Sequence, residues 1–269
     1  MPFDQPRELT DDDIRRLAPS VFATAPAPTV SDRYSYLPSY PVLRSMRLMG
    51  LVPTQVREGR KKNPDGREYA MHEIRFRKVD DDTANKTREL GMLVPEALLR
   101  NSHDRTSPLD LQAGISRLVC LNGMTVMDSG FHVKLRHAGT NPGMVQDAVQ
   151  TIVSSFGRAI DKAKEWAAIP MAIQQQLDFA MVALDIRGTA LAIEPQRVLA
   201  ARRFDDRGND LWNVFNRVQE NMTKGGILGM SATGRNRMRT LGAVQTLKAD
   251  IDLNRKLWAA AQSFAASVA

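Results

Sequence analysis

One cysteine, Cys120, stands among 269 residues. A lone cysteine closes no intramolecular disulfide, so the fold is expected to stand without an oxidising compartment. No stretch reaches the roughly 18 apolar residues that a membrane-spanning helix needs. The start, Met1-Pro2-Phe3-Asp4, runs into Asp11-Asp12-Asp13. It has no basic opening followed by an apolar core, so no secretory leader is expected there. A cytoplasmic location and no membrane partner are the expectations.

Metal and nucleotide motifs are scarce as well. His72, His103, His132 and His137 are scattered, and none has the spaced partner of a zinc site. No metal and no cofactor is expected. Gly225-Gly226-Ile227-Leu228-Gly229 lacks the lysine and hydroxyl of a phosphate-binding nucleotide loop. Gly229-Met230-Ser231-Ala232-Thr233 lacks the second glycine of a nucleophile elbow. Without an ATP site, any work on nucleic acid is passive: binding, protection or annealing.

The chain is long enough for one large domain or two small ones. Hydrophobic residues make up 43% and charged residues 25%, as in an ordinary globular protein. Lys and Arg outnumber Asp and Glu by 37 to 30, a formal net charge of +7. That surplus raises the expectation of an anionic partner.

Periodicity divides the chain. Residues 1–31 read as an arm, with a short helix from Thr10 through Leu17 and a Pro-rich linker at Ala25-Pro26-Ala27-Pro28. Residues 32–140 read as mainly strand, broken by one helix over Tyr40 to Met49 with Val42, Leu43 and Met46 inward. Val52 to Arg60 and Arg67 to Val79 form an expected long hairpin about the Asn63-Pro64-Asp65-Gly66 turn signal. In its second strand Ala70, His72, Ile74 and Phe76 share one face; Tyr69, Glu73, Arg75 and Arg77 share the other. Leu93 to Arg100, Leu109 to Val119 and Phe131 to His137 are further strands.

From Asn141 the period becomes helical. One helix is expected through Val145, Val149, Ile152, Phe156, Ile160 and Ala163. A second follows Pro170, carrying Ile173, Leu177, Met181 and Leu184. A third spans Asp210 to Lys224, with Trp212, Phe215, Val218 and Met222 inward and Gly225-Gly226 ending it. The last carries Leu247, Ile251, Trp258 and Ala261. The expected class is α+β: an antiparallel sheet with a long hairpin in the N-terminal half, and a helical C-terminal half packed on it. The expected division is an arm at 1–31 and a single domain at 32–269, strand-rich over 32–140 and helical over 141–269.

Three groups of cations are candidate nucleic-acid contacts. Arg75 and Arg77 on one strand, with Lys134 and Arg136 on another, point away from their apolar neighbours. The hairpin tip adds Arg57, Arg60, Lys61, Lys62 and Arg67. Asn221 to Ala249 has no acidic residue, yet holds Lys224, Arg235, Arg237, Arg239 and Lys248 among glycines that leave it flexible. Cations without carboxylate partners are free to meet phosphates. A solvated sheet face is the plain alternative for the first group.

Asn101-Ser102-His103-Asp104 suggests chemistry, because His103 with Cys120 is the minimum for a thiol nucleophile and its base. A polar turn, with Ser102 and Asp104 bonding local backbone, accounts for the same residues. Arg202-Arg203-Phe204-Asp205-Asp206-Arg207 joins two helices, with three arginines opposite two aspartates. The helix after it has Asn213, Asn216, Arg217 and Glu220 on its polar side.

Several blocks taken in order resemble a known family. They are Ser31-Asp32-Arg33-Tyr34, Arg75-Phe76-Arg77, Asn101-Ser102-His103-Asp104 and Arg117-Leu118-Val119-Cys120 with Asn122-Gly123. The longest runs from Arg202-Arg203-Phe204 through Asp210-Leu211-Trp212 and Asn216-Arg217-Val218-Gln219-Glu220-Asn221 to Gly225-Gly226. The family is that of the phage- and plasmid-borne proteins called domain of unknown function 932. The resemblance covers nearly the whole chain and implies a mobile-element, non-secreted setting; it assigns no catalytic residues. A looser fold analogy, strands and a hairpin followed by a long helix, is similar to the single-strand annealing proteins of phages.

The expected function is therefore binding or annealing of single-stranded DNA without ATP, with further copies of the chain as a second partner. An interaction protein, such as an inhibitor of host defence, is the alternative. An enzyme using His103 and Cys120 is the third reading.

Overall fold

A computed structural model of the chain describes residues 7–59, 64–78, 87, 90, 93–117, 125–126, 132–231 and 237–268. The chain divides into two compact units. The first comprises Met1–Ala84, Val94–Ile115 and Ser129–Gly157; the second comprises Asn85–Leu93, Ser116–Asp128 and Arg158–Ala269. The class is α+β, with the larger antiparallel sheet in the N-terminal half and most helices in the C-terminal half.

The first unit opens on α1 (Asp11–Leu17). Thr10 caps it, its hydroxyl accepting from the Asp13 N–H at 3.1 Å while Asp13 accepts from the Thr10 N–H at 3.2 Å. Ile14, Ala18 and Val21 then enter the core. The expected arm is thus an integral part of the unit. Helix α2 (Ser39–Leu48) buries Val42, Leu43 and Met46 as its spacing predicts. Gly50 follows at a φ of 79°, a left-handed turn into the sheet.

The sheet contains β1 (Leu51–Glu58), β2 (His72–Lys78), β3 (Leu93–Asn101), β4 (Leu109–Arg117), β5 (Thr125–Val126) and β6 (His132–Leu135). Their order is β1-β2-β3-β4-β5, and β6 also pairs with β4. Ile74 and Phe76 of β2 and Ala97 and Leu99 of β3 pack with Leu109, Leu111 and Leu135. Each large side chain so buried contributes about 1.5–3 kcal/mol. Helix α3 (Pro142–Ser154), capped by Asn141, adds Val149 and Ile152 to the same core.

Two expectations are corrected here. The second hairpin strand starts at His72, because Pro64–Tyr69 winds into a 3-10 segment. Proline presets the required φ, and the Tyr69 carbonyl accepts the distant His103 N–H at 3.1 Å. The long helix from Asn141 is broken at Ser155, whose hydroxyl donates back to the Ile152 carbonyl at 2.7 Å. Helix α4 (Phe156–Ala167) begins after the break.

The second unit holds most of α4, then α5 (Ile173–Arg187), β7 (Leu191–Ala192), α6 (Pro195–Val198), α7 (Leu211–Lys224), β8 (Leu228–Ser231), β9 (Met238–Thr240) and α8 (Leu247–Val268). Its core is aromatic. Trp166 lies 4.2 Å from Trp258 between ring centroids, and Phe215 sits edge-on to both. The apolar spacing of α5 does not mark its buried side. Ile173 and Met181 are exposed, while Gln176, Phe179, Ala180 and Ala183 are buried. The expected flexible loop after α7 contains β8 and β9, which form a three-stranded sheet with β7.

Helix α7 is buried almost all round, including its polar side. Arg203 forks onto Glu220, which Lys224 also reaches at 2.8 Å. The Asn221 amide donates to the Val198 and Ala200 carbonyls and accepts from Arg202. Arg217 donates to Gln176 at 3.0 Å. The residues that look like a hydrated face therefore fasten the 198–203 segment and α5 onto the helix.

Candidate anion-binding site

A cleft of about 430 Å³ opens in the first unit. Three segments far apart in sequence supply it. Ser31, Arg33 and Tyr34 come from the turn before α2, Arg105 and Ser107 from the β3–β4 connection, and Lys134, Arg136 and His137 from β6 and its exit. Arg33, Arg105, Lys134 and Arg136 are exposed, and no acid lines the cleft. Among the described residues none of the four carries an ion pair.

Local chemistry shapes each wall. The Asp104 carboxylate accepts from the Thr106 N–H at 3.0 Å, closing a turn that carries Arg105 at its tip. Arg105 has a φ of 72°, the one non-glycine among the described residues in the left-handed region. Such strain costs about 1–3 kcal/mol and concentrates at functional sites. The Ser102 hydroxyl ties the turn's two ends, donating to the Ser107 carbonyl and accepting from the Ser107 N–H. On the other wall, the Ser35 N–H donates to the His137 carbonyl at 2.9 Å. The Tyr34 and His137 rings stack 4.6 Å apart and 10° from parallel.

Behind the cleft runs a buried polar chain. The Asn101 amide nitrogen donates to the Leu37 carbonyl at 2.8 Å and to the Ser39 hydroxyl at 2.9 Å. The Ser39 hydroxyl meets His72 Nε2 at 2.7 Å, and His72 Nδ1 lies 3.1 Å from the Ala70 carbonyl. That carbonyl takes an Nδ1–H, so the neutral ring accepts from Ser39 at Nε2. Burial pushes His72 down to about 4. Burial first, then the nearby His72 and His137, pushes His103 down to about 3. Burial pushes the Tyr36 hydroxyl up to about 12; it donates to the Ala23 carbonyl.

These two histidines make stability depend on acidity. An unfolded histidine titrates near 6.5. Between that value and the lower native ones, the unfolded chain holds a proton that the native chain does not. Stability therefore falls as the pH drops through this window, by about 1.4 kcal/mol per pH unit for each histidine. Urea midpoints for unfolding are expected to be lower at about pH 5 than at about pH 7, and His72→Gln to narrow the gap. Equal midpoints at both pH values would count against neutral burial.

The cations expected from sequence are dispersed. Arg75 and Arg77 point to the face opposite Ile74 and Phe76, as the alternation predicts. They do not form an open groove there: their side chains are 13% and 12% exposed. Arg77 pairs with the fully buried Glu96 across the β2–β3 register, and Arg75 Nε lies 4.0 Å from the same carboxylate. Lys224 is bound to Glu220. Arg237 and Arg239 are exposed at and beside β9, in the second unit. On the same hairpin Leu228, Met230 and Met238 are exposed apolar side chains. Arg60, Lys61, Lys62 and Arg235 lie outside the described residues.

Cys120 also lies outside the described residues. His103 is fully buried, and its low pKa makes it a weak base. Of the expected binding residues that are described, only Lys134 and Arg136 meet in the cleft. Arg33, Tyr34, Arg105 and His137 complete it without having been marked as binding residues. Arg33, Tyr34 and Asn101 through Asp104 sit in the quoted family blocks, which was the available signal. Among the described residues no group of three or more His, Cys, Asp or Glu side chains could hold a metal ion. No helix of the described chain is long and apolar enough to cross a membrane.

The family model described as Domain of unknown function (DUF932) matches residues 27–258. The chain belongs to that family, and the match takes in every segment of the cleft. Two Escherichia coli K12 proteins, UPF0380 protein YfjQ and UPF0380 protein YafZ, are each 33% identical to it over 259 residues. Each alignment covers 96% of this chain and 92% of the relative. No solved structure matches.

Proposed function

We propose that the chain binds single-stranded nucleic acid, single-stranded DNA first, by seating the phosphate backbone in the basic cleft of the first unit. One observation carries the reading. Four cations from three separate segments converge on a stacked Tyr34–His137 pair with no acid among them. Cations supply the affinity for phosphate, and an aromatic platform favours an unpaired base over one locked in a duplex. Arg237 and Arg239 offer a further exposed basic patch, and no step needs ATP. The mobile-element setting implied by the family resemblance belongs to the same proposal.

Fluorescence anisotropy with labelled oligothymidylate at several salt concentrations tests it. Each phosphate contact to a single strand contributes about 0.7 to the slope of log affinity against log salt. Arg33→Ala with Arg105→Ala is expected to flatten that slope by about 1.4 and to weaken binding by about tenfold. Duplex of the same length is expected to bind more weakly. Absence of binding at low salt, or a slope indifferent to the two substitutions, would sink the reading. Leu228, Met230 and Met238 favour a second reading, docking of a partner protein on the hairpin. It gains ground if Met230→Ser and Met238→Ser alter function while leaving oligonucleotide affinity intact.

A further inference from the structure

His137 occupies an unusual position in the hydrogen-bond network. Its Nδ1 lies 3.1 Å from the Ser35 carbonyl and its Nε2 lies 3.0 Å from the Asn101 side-chain oxygen. Both neighbours are acceptors. The Asn101 amide cannot be turned to relieve this. Its oxygen accepts the Ser102 N–H at 2.9 Å, and its nitrogen donates to the Leu37 carbonyl at 2.8 Å. Reversing the group would set donor against donor and acceptor against acceptor. A neutral imidazole has one N–H and satisfies one of the two oxygens. The other ring nitrogen then presents its lone pair to an oxygen lone pair. Only the imidazolium satisfies both.

The surroundings oppose that charge. Half-burial beneath Tyr34 holds His137 below its ordinary value, ahead of the opposing pull of the Ser35 and Ser107 carbonyls. Arg33 from the turn before α2, Arg105 from the β3–β4 connection, and Lys134 and Arg136 around the ring's own segment line the same cleft as the ring and make it a seat for an anion. Asp104 is the one carboxylate in the cleft's turn, and it already accepts from Thr106. His103 behind the network is neutral. The protein thus holds a ring whose bonding suits the cation in a half-buried setting that suits the neutral form. An anion in the cleft would set negative charge near the ring and so favour the cation.

We propose that seating a phosphate in this cleft is coupled to uptake of one proton by His137. The proposal rests on the nucleic-acid reading for its ligand but not for its chemistry. The proton comes from solvent buffer. One N–H bond forms, at whichever ring nitrogen lacked hydrogen, and the repulsive contact becomes a charge-assisted hydrogen bond. By linkage, affinity rises as the pH falls through the range between the free and bound values. Each unit by which the ligand raises His137 is a tenfold change in affinity across that range.

Two measurements test it. In the first, oligothymidylate without a terminal phosphate is titrated by anisotropy from about pH 8 to about pH 5, where its phosphodiesters and bases hold constant charge. Affinity is expected to rise by about tenfold on acidification. His137→Gln is expected to lose the pH dependence. Binding with no pH dependence, or the same dependence in His137→Gln, overturns the coupling and leaves the proposed function standing. In the second, the His137 ring resonances of the full chain are followed by NMR against pH, with and without inorganic sulfate, a non-titrating dianion. The midpoint is expected to move up with sulfate, while His72 and His103 stay neutral. A midpoint unmoved by sulfate overturns the coupling even if no oligonucleotide binds. A moved midpoint without oligonucleotide binding upholds the coupling and overturns the nucleic-acid reading.

Discussion

Replacing Gly225 with alanine is expected to destabilise the second unit by about 3–5 kcal/mol, the combined scale of backbone strain and overpacking. Gly225 ends α7 with φ 65° and ψ −140°, a backbone conformation that side chains rarely enter. Its N–H donates to the Asn221 carbonyl, its carbonyl accepts from Arg202, and the next N–H donates to the Leu241 carbonyl. A β-carbon at 225 would meet the Leu241 carbonyl oxygen at 2.3 Å and the Gly242 carbonyl carbon at 2.6 Å. These are backbone atoms, so no rotamer change relieves the clash. Gly226 is the control. It also has a positive φ, 80°, but an added β-carbon would meet only the flexible Arg202 side chain at 3.4 Å. Gly226→Ala is expected to cost about 1 kcal/mol. Urea unfolding of the two variants decides the matter; equal midpoints would refute the close-approach argument.

Glu96→Ala is expected to cost the first unit about 3–5 kcal/mol, because it strands Arg75 and Arg77 without their buried counter-charge. The carboxylate is fully buried and the arginines nearly so. Replacing all three together by Leu or Met removes the stranded charge, and that triple variant is expected to be close to neutral in stability. It also separates the two basic regions. Its affinity for oligothymidylate is expected to match that of the unaltered chain, whereas Arg33→Ala with Arg105→Ala weakens binding. A triple variant that folds normally yet loses affinity would return Arg75 and Arg77 to the interface.

Helical segments were legible where both cap and stripe are local. Thr10 and Asp13, and Asp210 with Trp212, Phe215, Val218 and Met222, mark α1 and α7 within a residue of their observed bounds. Helix α5 was not legible in the same way. Its apolar spacing points to Ile173 and Met181, yet small residues and Phe179 face inward, because Ala180 and Ala183 allow close helix packing. The glycine-rich segment after α7 looked flexible because glycine carries no pattern of its own. Gly229 is instead pressed against Ile193 and β7, where an added β-carbon would lie 2.5 Å from the Ile193 side chain. The cleft was legible only in part. Lys134 lies on an alternating strand, so it could be read outward, but Arg33 and Arg105 belong to turns without period, and His137 falls past the end of β6, which stops at Leu135.

The sequence by itself determined the α+β class, the family, the basic charge and most of the buried apolar positions. Those follow from composition and from periods of two and 3.6 residues, which are properties of neighbouring residues. Tertiary structure alone decided which charges stay available. Arg75 and Arg77 are neutralised by Glu96 because the β2–β3 register brings them together across some twenty residues of chain. Among the described residues Arg33, Arg105, Lys134 and Arg136 carry no ion pair, because two turns and the end of β6 meet where no carboxylate lines the wall. It also decided the state of His137, whose two acceptors come from Ser35 and Asn101, about a hundred and about forty positions away in sequence. Charge is written residue by residue, but its partners are set by register and by loop closure, and those exist only once the chain has folded.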